Sequence, residues 1–306
     1  MEGTTEASRA RSPLSTGLLA GAALIGFAAN SLLCRMALGA RLLDAPTFTS
    51  VRFSAGALTL AILLRSTGRG KLPKAGSWPA SLSLFAYAAA FSYAYLRLST
   101  GTGALILFGV VQATMVGWSV RGGERLRLAV WLGLALALTG LVALTLPGLT
   151  APDPLGACLM AAAGVSWGIY SLLGRGTTHP LAATAWNFLR AVPLALALSL
   201  ATIAGAHVSP KGLMLAVSSG ALASGIGYSL WYAALRDLPA SRAAVAQLAV
   251  PVLAAVGGIL LLGERLTPRL VVAGALILAG VALAILSPRR PQVSRLSSAF
   301  VPGPEH

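Results

Sequence analysis

Trp167 and Tyr170 stand three residues apart in one apolar run, and 140 residues earlier Phe27 and Asn30 stand three apart in another. On a helix that spacing puts an aromatic face and a hydrogen-bonding group on one side. Such a pair can hold a small molecule with an apolar part and a polar end by stacking and hydrogen bonding, without making bonds. Tyr87 and Phe91 share a face at a spacing of four, as do Gln247 and Pro251, while Gln112 and Tyr228 lie inside further apolar runs. A glutamine in apolar surroundings must find a partner, so Gln112 and Gln247 are expected to face inward. Phe27, Asn30, Tyr87, Phe91, Gln112, Trp167, Tyr170, Tyr228 and Gln247 are therefore the candidates for a binding wall. Pro251, which lacks an N–H for the helix, is a candidate hinge.

Bond-making chemistry has little to work with. All eight acidic residues fall in the tails or between apolar runs, and His179, His207 and His306 do likewise. Ser224 has no membrane-embedded base beside it, and no cluster of carboxylates and histidines suggests a metal. Cys34 and Cys158 sit in separate apolar runs and read as packing. The expectation is no enzyme, no metal, no cofactor, and no buried acid for a proton relay.

Stepping out to the elements that must carry these residues, 56% of the chain is hydrophobic and only 10% charged. That balance belongs to membrane proteins. Ten apolar runs of about 20 residues, each enough to cross a hydrocarbon core, can be drawn: 15–38, 46–65, 79–96, 100–120, 128–147, 155–174, 181–204, 211–235, 240–262 and 269–287. Period-2 alternation is absent, so the fold class is all-α. Residues 1–14 and 289–306 read as polar tails. The net charge of +15 is not a nucleic-acid stripe, because the basic residues are scattered through the short gaps.

Their placement sets orientation instead. Of the 23 Lys and Arg, Arg35, Arg41, Arg97, Lys211, Arg265 and Arg269 fall on one side, and Arg52 and Arg190 lie within spans; the rest share the side of both termini. By the positive-inside rule that side is cytoplasmic. Arg52 is shallow enough to snorkel. Arg190 is the charge nearest a midplane, either a substrate anchor or structural glue beside Asn187. Trp78, Trp118, Trp131, Trp186 and Trp231 read as interfacial, whereas Trp167 lies about 18 Å along its span, near the midplane.

The offset of 140 recurs. Ser31-Leu-Leu-x-Arg35 answers Ser171-Leu-Leu-x-Arg175, and Gly123-Glu-Arg-Leu126 answers Gly263-Glu-Arg-Leu266. Each Gly-Glu-Arg-Leu reads as a turn whose Gly ends a helix and whose charges satisfy helix ends or pair locally. The expectation is a five-helix repeat at 15–147 and a second at 155–288. Five is odd, so the second copy enters the membrane inverted, which is the architecture of transporters with a central cavity.

Ala234, Leu238-Pro-Ala-Ser-Arg-Ala-Ala244, Pro251 and Leu262-Gly-Glu-Arg-Leu266 resemble the EamA-type repeat of the drug/metabolite transporter superfamily, and Trp167-Gly-Ile-Tyr-Ser-Leu-Leu-Gly-Arg175 fits it too. The first repeat departs from the pattern, with Leu98-Ser-Thr-Gly-Thr-Gly103 where the second has Leu238-Pro-Ala-Ser-Arg-Ala243. The resemblance implies an exporter of small metabolites in a bacterial inner membrane, as monomer or homodimer, with YddG-type exporters of aromatic amino acids the most similar group. It implies aromatic or other neutral amino acids as substrates, carried by an exporter or facilitator. Sugar-nucleotide or phosphate-ester carriers and drug efflux pumps share the superfamily. A phosphate carrier should place several Lys or Arg at mid-depth, and this reading finds Arg190 alone.

Overall fold

The computed structural model describes residues 12–66, 75–123, 127–146, 148, 151–175, 177–238, 243 and 246–286. They form ten helices: α1 Pro13–Gly39, α2 Ala45–Ser66, α3 Trp78–Tyr95, α4 Thr100–Arg121, α5 Leu128–Thr145, α6 Pro154–Leu173, α7 Pro180–Ala201, α8 Pro210–Leu235, α9 Ala249–Leu262 and α10 Pro268–Leu286. The protein is an all-α membrane protein, with eight of these helices both long and apolar enough to span a bilayer. Punctuation in the sequence explains the boundaries. Ser12, Ser77, Asp153 and Ser209 each cap a helix whose first or second residue is proline. A proline there loses nothing, because the first helical N–H groups have no intrahelical partner. The Asp153 carboxylate accepts from Gly156 N at 2.7 Å and pairs with Arg97 at 3.1 Å. Those contacts, the backbone bond first, hold it below the usual carboxylate range.

Within the expected run 240–262 the helix is interrupted at Leu248. Gln247 is helical, Leu248 is a turn and regular helix resumes at Ala249, while most of 239–245 lies outside the described residues. Pro251 has no N–H to offer the carbonyl of Gln247 four residues before it, which places the interruption one turn upstream of the proline.

Packing interlaces the two halves. Helix α1 lies on α8 and α9, α2 on α7 and α8, α3 on α6 and α7, α4 on α6 and α9, and α5 on α10. Exchanging each helix for the one five places along leaves these pairings unchanged. Contacts at α5–α10 repeat the exchange residue by residue. A Cβ at Gly133 would fall 2.5 Å from the Gly280 carbonyl oxygen, and one at Gly280 would meet the Gly133 carbonyl. Gly140, 140 residues before Gly280, approaches the Ala273 carbonyl in the same way, and Ala273 is 140 after Gly133. In lipid, where apolar surface gives helices no net reason to associate, this backbone contact supplies the attraction.

Gly133→Leu or Gly280→Leu should therefore separate α5 from α10 and cost about 1–3 kcal/mol by overpacking. Gly117→Ala, which meets nothing within 4 Å, should be neutral. Thermal unfolding in detergent compares the three.

Candidate functional site

A cavity of about 430 Å³ lies between the interlaced helices. All nine sequence candidates stand in its wall: Phe27 and Asn30 from α1, Tyr87 and Phe91 from α3, Gln112 from α4, Trp167 and Tyr170 from α6, Tyr228 from α8, and Gln247 ahead of α9. Pro251 does not line it; its place is one turn beyond Gln247. Helices α5 and α10 contribute no lining residue.

The aromatic part of the wall centres on Trp167. Its ring lies 4.8 Å from Tyr87, 5.3 Å from Tyr170 and 5.9 Å from Tyr228, the last nearly parallel. Phe27 meets Tyr228 at 5.5 Å and Trp231 at 5.8 Å. The three-residue spacings read in the sequence thus deliver both aromatic groups, Phe27 and Trp167, to one cluster around Tyr228. The two halves are not equivalent here. Tyr87 covers Trp167, whereas Gly227, 140 residues later, is buried against Phe27 and brings no side chain to it.

Hydroxyl and amide groups thread between the rings. Ser219 Oγ donates to Asn30 Oδ1 at 2.7 Å, and Asn30 Nδ2 donates to the Tyr87 hydroxyl at 3.5 Å. On another wall Thr184 meets the Tyr170 hydroxyl at 3.4 Å and the Tyr232 hydroxyl at 3.0 Å.

Two readings from sequence change, and the alternatives for Arg190 narrow. Arg52 does not snorkel: it is 2% exposed and lines the cavity, with Nε donating to Ser224 Oγ at 3.4 Å and Nη2 to the Tyr87 hydroxyl at 3.5 Å. Its backbone explains why. Within α8 the segment Ser219–Ile226 is a π-helix, and Gly220 there lies against the Arg52 carbonyl, where any side chain would collide. The widened turn seats α8 on α2 and encloses the arginine. Arg190 lies away from the cavity wall, donating to the Ala75 carbonyl at 3.2 Å over the Trp186 ring. Its expected neighbour Asn187 instead accepts from Ser77 N at 3.1 Å and lines the cavity. Trp231 is not an interfacial residue: it is buried in the wall against Phe27, whereas Trp78, Trp118 and Trp131 are exposed.

Sequence reasoning also passed over Thr184 and Tyr232, and weighed Ser224 only as a nucleophile. One signal for Arg52 was available, since Thr49, Arg52 and Gly56 recur at spacings of three and four on a single buried face.

The two ends of the cavity differ. Short connections make successive helices run in opposite directions, so the ends of α6 and α8 and the start of α7 lie at the end of the bundle where α1 begins and α10 ends. Lining residues reach that end at Gly174, Arg175, Thr177 and Leu235, and Gly174 and Arg175 are exposed. The opposite end is shut. Glu264, just after the left-handed Gly263 that ends α9, sends its carboxylate across to α4. It accepts from Thr100 N at 2.8 and 2.9 Å and from Thr100 Oγ1 at 3.0 Å, capping α4, and lies 3.6 Å from Arg35 Nε. Arg35 Nη1 in turn donates to the Tyr95 carbonyl at 2.9 Å. The charge of this turn does satisfy a helix end, but that of a distant helix. Glu124 and Arg125 of the matching turn lie outside the described residues.

Comparison with known proteins agrees with this architecture. The pattern of the EamA-like transporter family matches residues 154–286. An uncharacterized protein of Pseudomonas aeruginosa is 51% identical over 280 residues, spanning 92% of this chain and 97% of its own. The uncharacterized transporter YwfM of Bacillus subtilis is 27% identical over 71% of this chain and 77% of its own. The threonine/homoserine exporter RhtA of Escherichia coli is 34% identical over 47% of this chain and half of its own length. A crystal structure at 22% identity superposes with a TM-score of 0.60, covering 87% of this chain and 98% of that one, and shows the same fold.

Removing the carboxylate in Glu264→Ala should leave the α4 N-terminus and Arg35 unsatisfied together. Charged hydrogen bonds of this kind are each worth about 1.5–3 kcal/mol, so a clear fall in melting temperature is expected. Glu264→Gln, which can still accept from Thr100, should lose less.

Proposed function

This chain belongs to the EamA-like transporter family, and from that premise we propose that it carries aromatic and other neutral amino acids across the bacterial inner membrane by alternating access, as an exporter or facilitator. The observation that carries the reading is the cavity wall itself. Trp167, Tyr228 and Phe27 offer ring faces for an apolar side chain, while Asn30, Gln112 and Gln247 offer amide groups for a polar end. Stacking of this kind is worth about 0.5–1.5 kcal/mol per pair and tolerates different side chains. Similarity to an exporter of threonine and homoserine supports the substrate class and the outward direction. Because one arginine lies deep in the wall, a phosphate-bearing substrate, which calls for several cations, fits less well.

The repeats at 15–147 and 155–288 supply the moving parts in this reading. In this reading α1, α2, α8 and α9 move as one bundle and α3, α4, α6 and α7 as the other, the two meeting along α2–α7 and α4–α9, so each bundle mixes both repeats. With the termini cytoplasmic, as the Lys and Arg distribution indicates, the cavity faces the cytoplasm. The clamp of Arg35 and Glu264 on Tyr95 and Thr100 closes the outer face, joining one bundle to the other. Rocking the bundles about the cavity would break that clamp and close the cytoplasmic mouth. The interruption at Leu248, upstream of Pro251, is the hinge assigned to α9.

Counterflow of labelled phenylalanine and threonine into proteoliposomes tests the substrate class. Saturable exchange is expected, and Trp167→Ala should weaken phenylalanine more than threonine, by roughly three- to tenfold on the stacking energies above. Folded protein that exchanges no neutral amino acid would remove the substrate class and leave the family standing.

A further inference from the structure

Arg52 carries an inference that deepens the proposed function and rests on it for the identity of the whole substrate. The guanidinium is buried at 2% exposure, yet its Nη1 has no hydrogen-bond partner among the described residues. Its other two nitrogens meet only neutral hydroxyl oxygens, Ser224 Oγ and the Tyr87 hydroxyl, at the long distances of 3.4 and 3.5 Å. The Tyr87 and Phe91 rings lie 5.5 Å from Arg52 Cζ. No Asp or Glu stands among the described residues lining the cavity.

A buried cation left without an anion is costly, and the cost is relieved when an anion arrives with good geometry. The guanidinium fork matches a carboxylate, two N–H groups to two oxygens. We propose that Arg52 is the carboxylate anchor of the transported molecule: the carboxylate docks on the guanidinium at the closed end of the cavity, in exchange for its long bonds to Ser224 and Tyr87, and the side chain extends toward Trp167 and Tyr228. Helix α2 places the anchor about 10 Å, seven residues, from the end where α2 begins. That is the end the Glu264 clamp shuts, so the substrate enters the mouth with its carboxylate leading. Arg175, exposed at the mouth, gives the approach the same positive sign. Arg52 thereby selects for a free carboxylate, and the aromatic cluster tolerates variation in the side chain.

Two readouts separate this anchor from the amino-acid reading. In the first, unlabelled L-phenylalanine and L-phenylalaninamide compete for counterflow of labelled phenylalanine by the wild type, Arg52→Gln and Arg52→Lys. The acid should compete at least about tenfold better than the amide in the wild type. That ratio should fall to near one in Arg52→Gln and to an intermediate value in Arg52→Lys, which keeps a point charge without the fork. A purely structural arginine would lower all transport and leave the ratio unchanged, which would overturn the proposal, as would a wild type indifferent to the carboxylate. Should Arg52→Gln fail to fold, the wild-type preference and the Arg52→Lys ratio decide. In the second readout, 3-phenylpropionate and its amide are compared for thermal stabilisation of the detergent-purified proteins. Stabilisation by the acid alone, lost in the Arg52 variants, upholds the anchor even where no amino acid is carried. Equal stabilisation by both compounds overturns it even where amino acids are.

Discussion

In a bilayer, apolar helices gain nothing by leaving lipid for one another, and the architecture depends on what stands in for that missing force. Two substitutes are visible, and they sit in different places. Between α5 and α10 the substitute is backbone against backbone, Gly133 on Gly280 and Gly140 on Ala273. It is tight, continuous and has no alternative partner. Around the cavity the substitute is polar: a carboxylate on a helix N-terminus, an arginine on a carbonyl, serine and tyrosine hydroxyls on an amide. Polar contacts of that sort can be exchanged for others, with water or with substrate, and tight apolar packing cannot. In the proposed rocking motion the joint that stays and the joint that parts are thus built from different materials.

The separable joint also explains the asymmetry of the site. Two copies of one repeat would give a cavity closed or open equally at both ends. Here the outer end in the proposed orientation has Glu264 bridging Thr100 and Arg35, while Arg175 at the other end stands exposed. Inside, positions 140 residues apart carry different residues. Phe27 is matched by Trp167 and Asn30 by Tyr170, and Tyr87 is matched by Gly227. The result is one aromatic side built around Trp167 and one polar pole around Asn30, Ser224 and Arg52, a pairing suited to a molecule with unlike ends.

Much of this is legible in the sequence. Helix limits agreed to within a few residues because Pro, Ser and Asp mark the helix starts, and such signals act locally. Leu248, a turn in the structure, reads as plain helix in the sequence because nothing in a hydropathy pattern reports an interruption. Trp167, Tyr170, Phe27 and Asn30 came from spacing and depth, and the cavity gathers them. Arg52 was misplaced for a physical reason. Depth along a helix says how far a charge lies from water if the helix faces lipid, but not whether a second helix covers it. The cover here is the π-helical turn at Ser219–Ile226, and its seat is Gly220; neither has a one-dimensional signature. Trp231 was misread likewise, since an interfacial depth and an inward face are compatible. Glu264 was assigned to a helix end correctly in kind, yet its partner lies 164 residues away, beyond any local rule.

The most direct test of two bundles rocking about one site is a pair of distances followed together. Spin labels at Leu96 and Leu266 would straddle the clamped end, and labels at Arg175 and Arg236 would straddle the mouth, in a chain with Cys34→Ala and Cys158→Ser. All four labelled positions are exposed. On adding a transported amino acid the distance between 96 and 266 should lengthen as that between 175 and 236 shortens. Protein that transports while both distances stay fixed, or while both widen together, would contradict alternating access through this cavity.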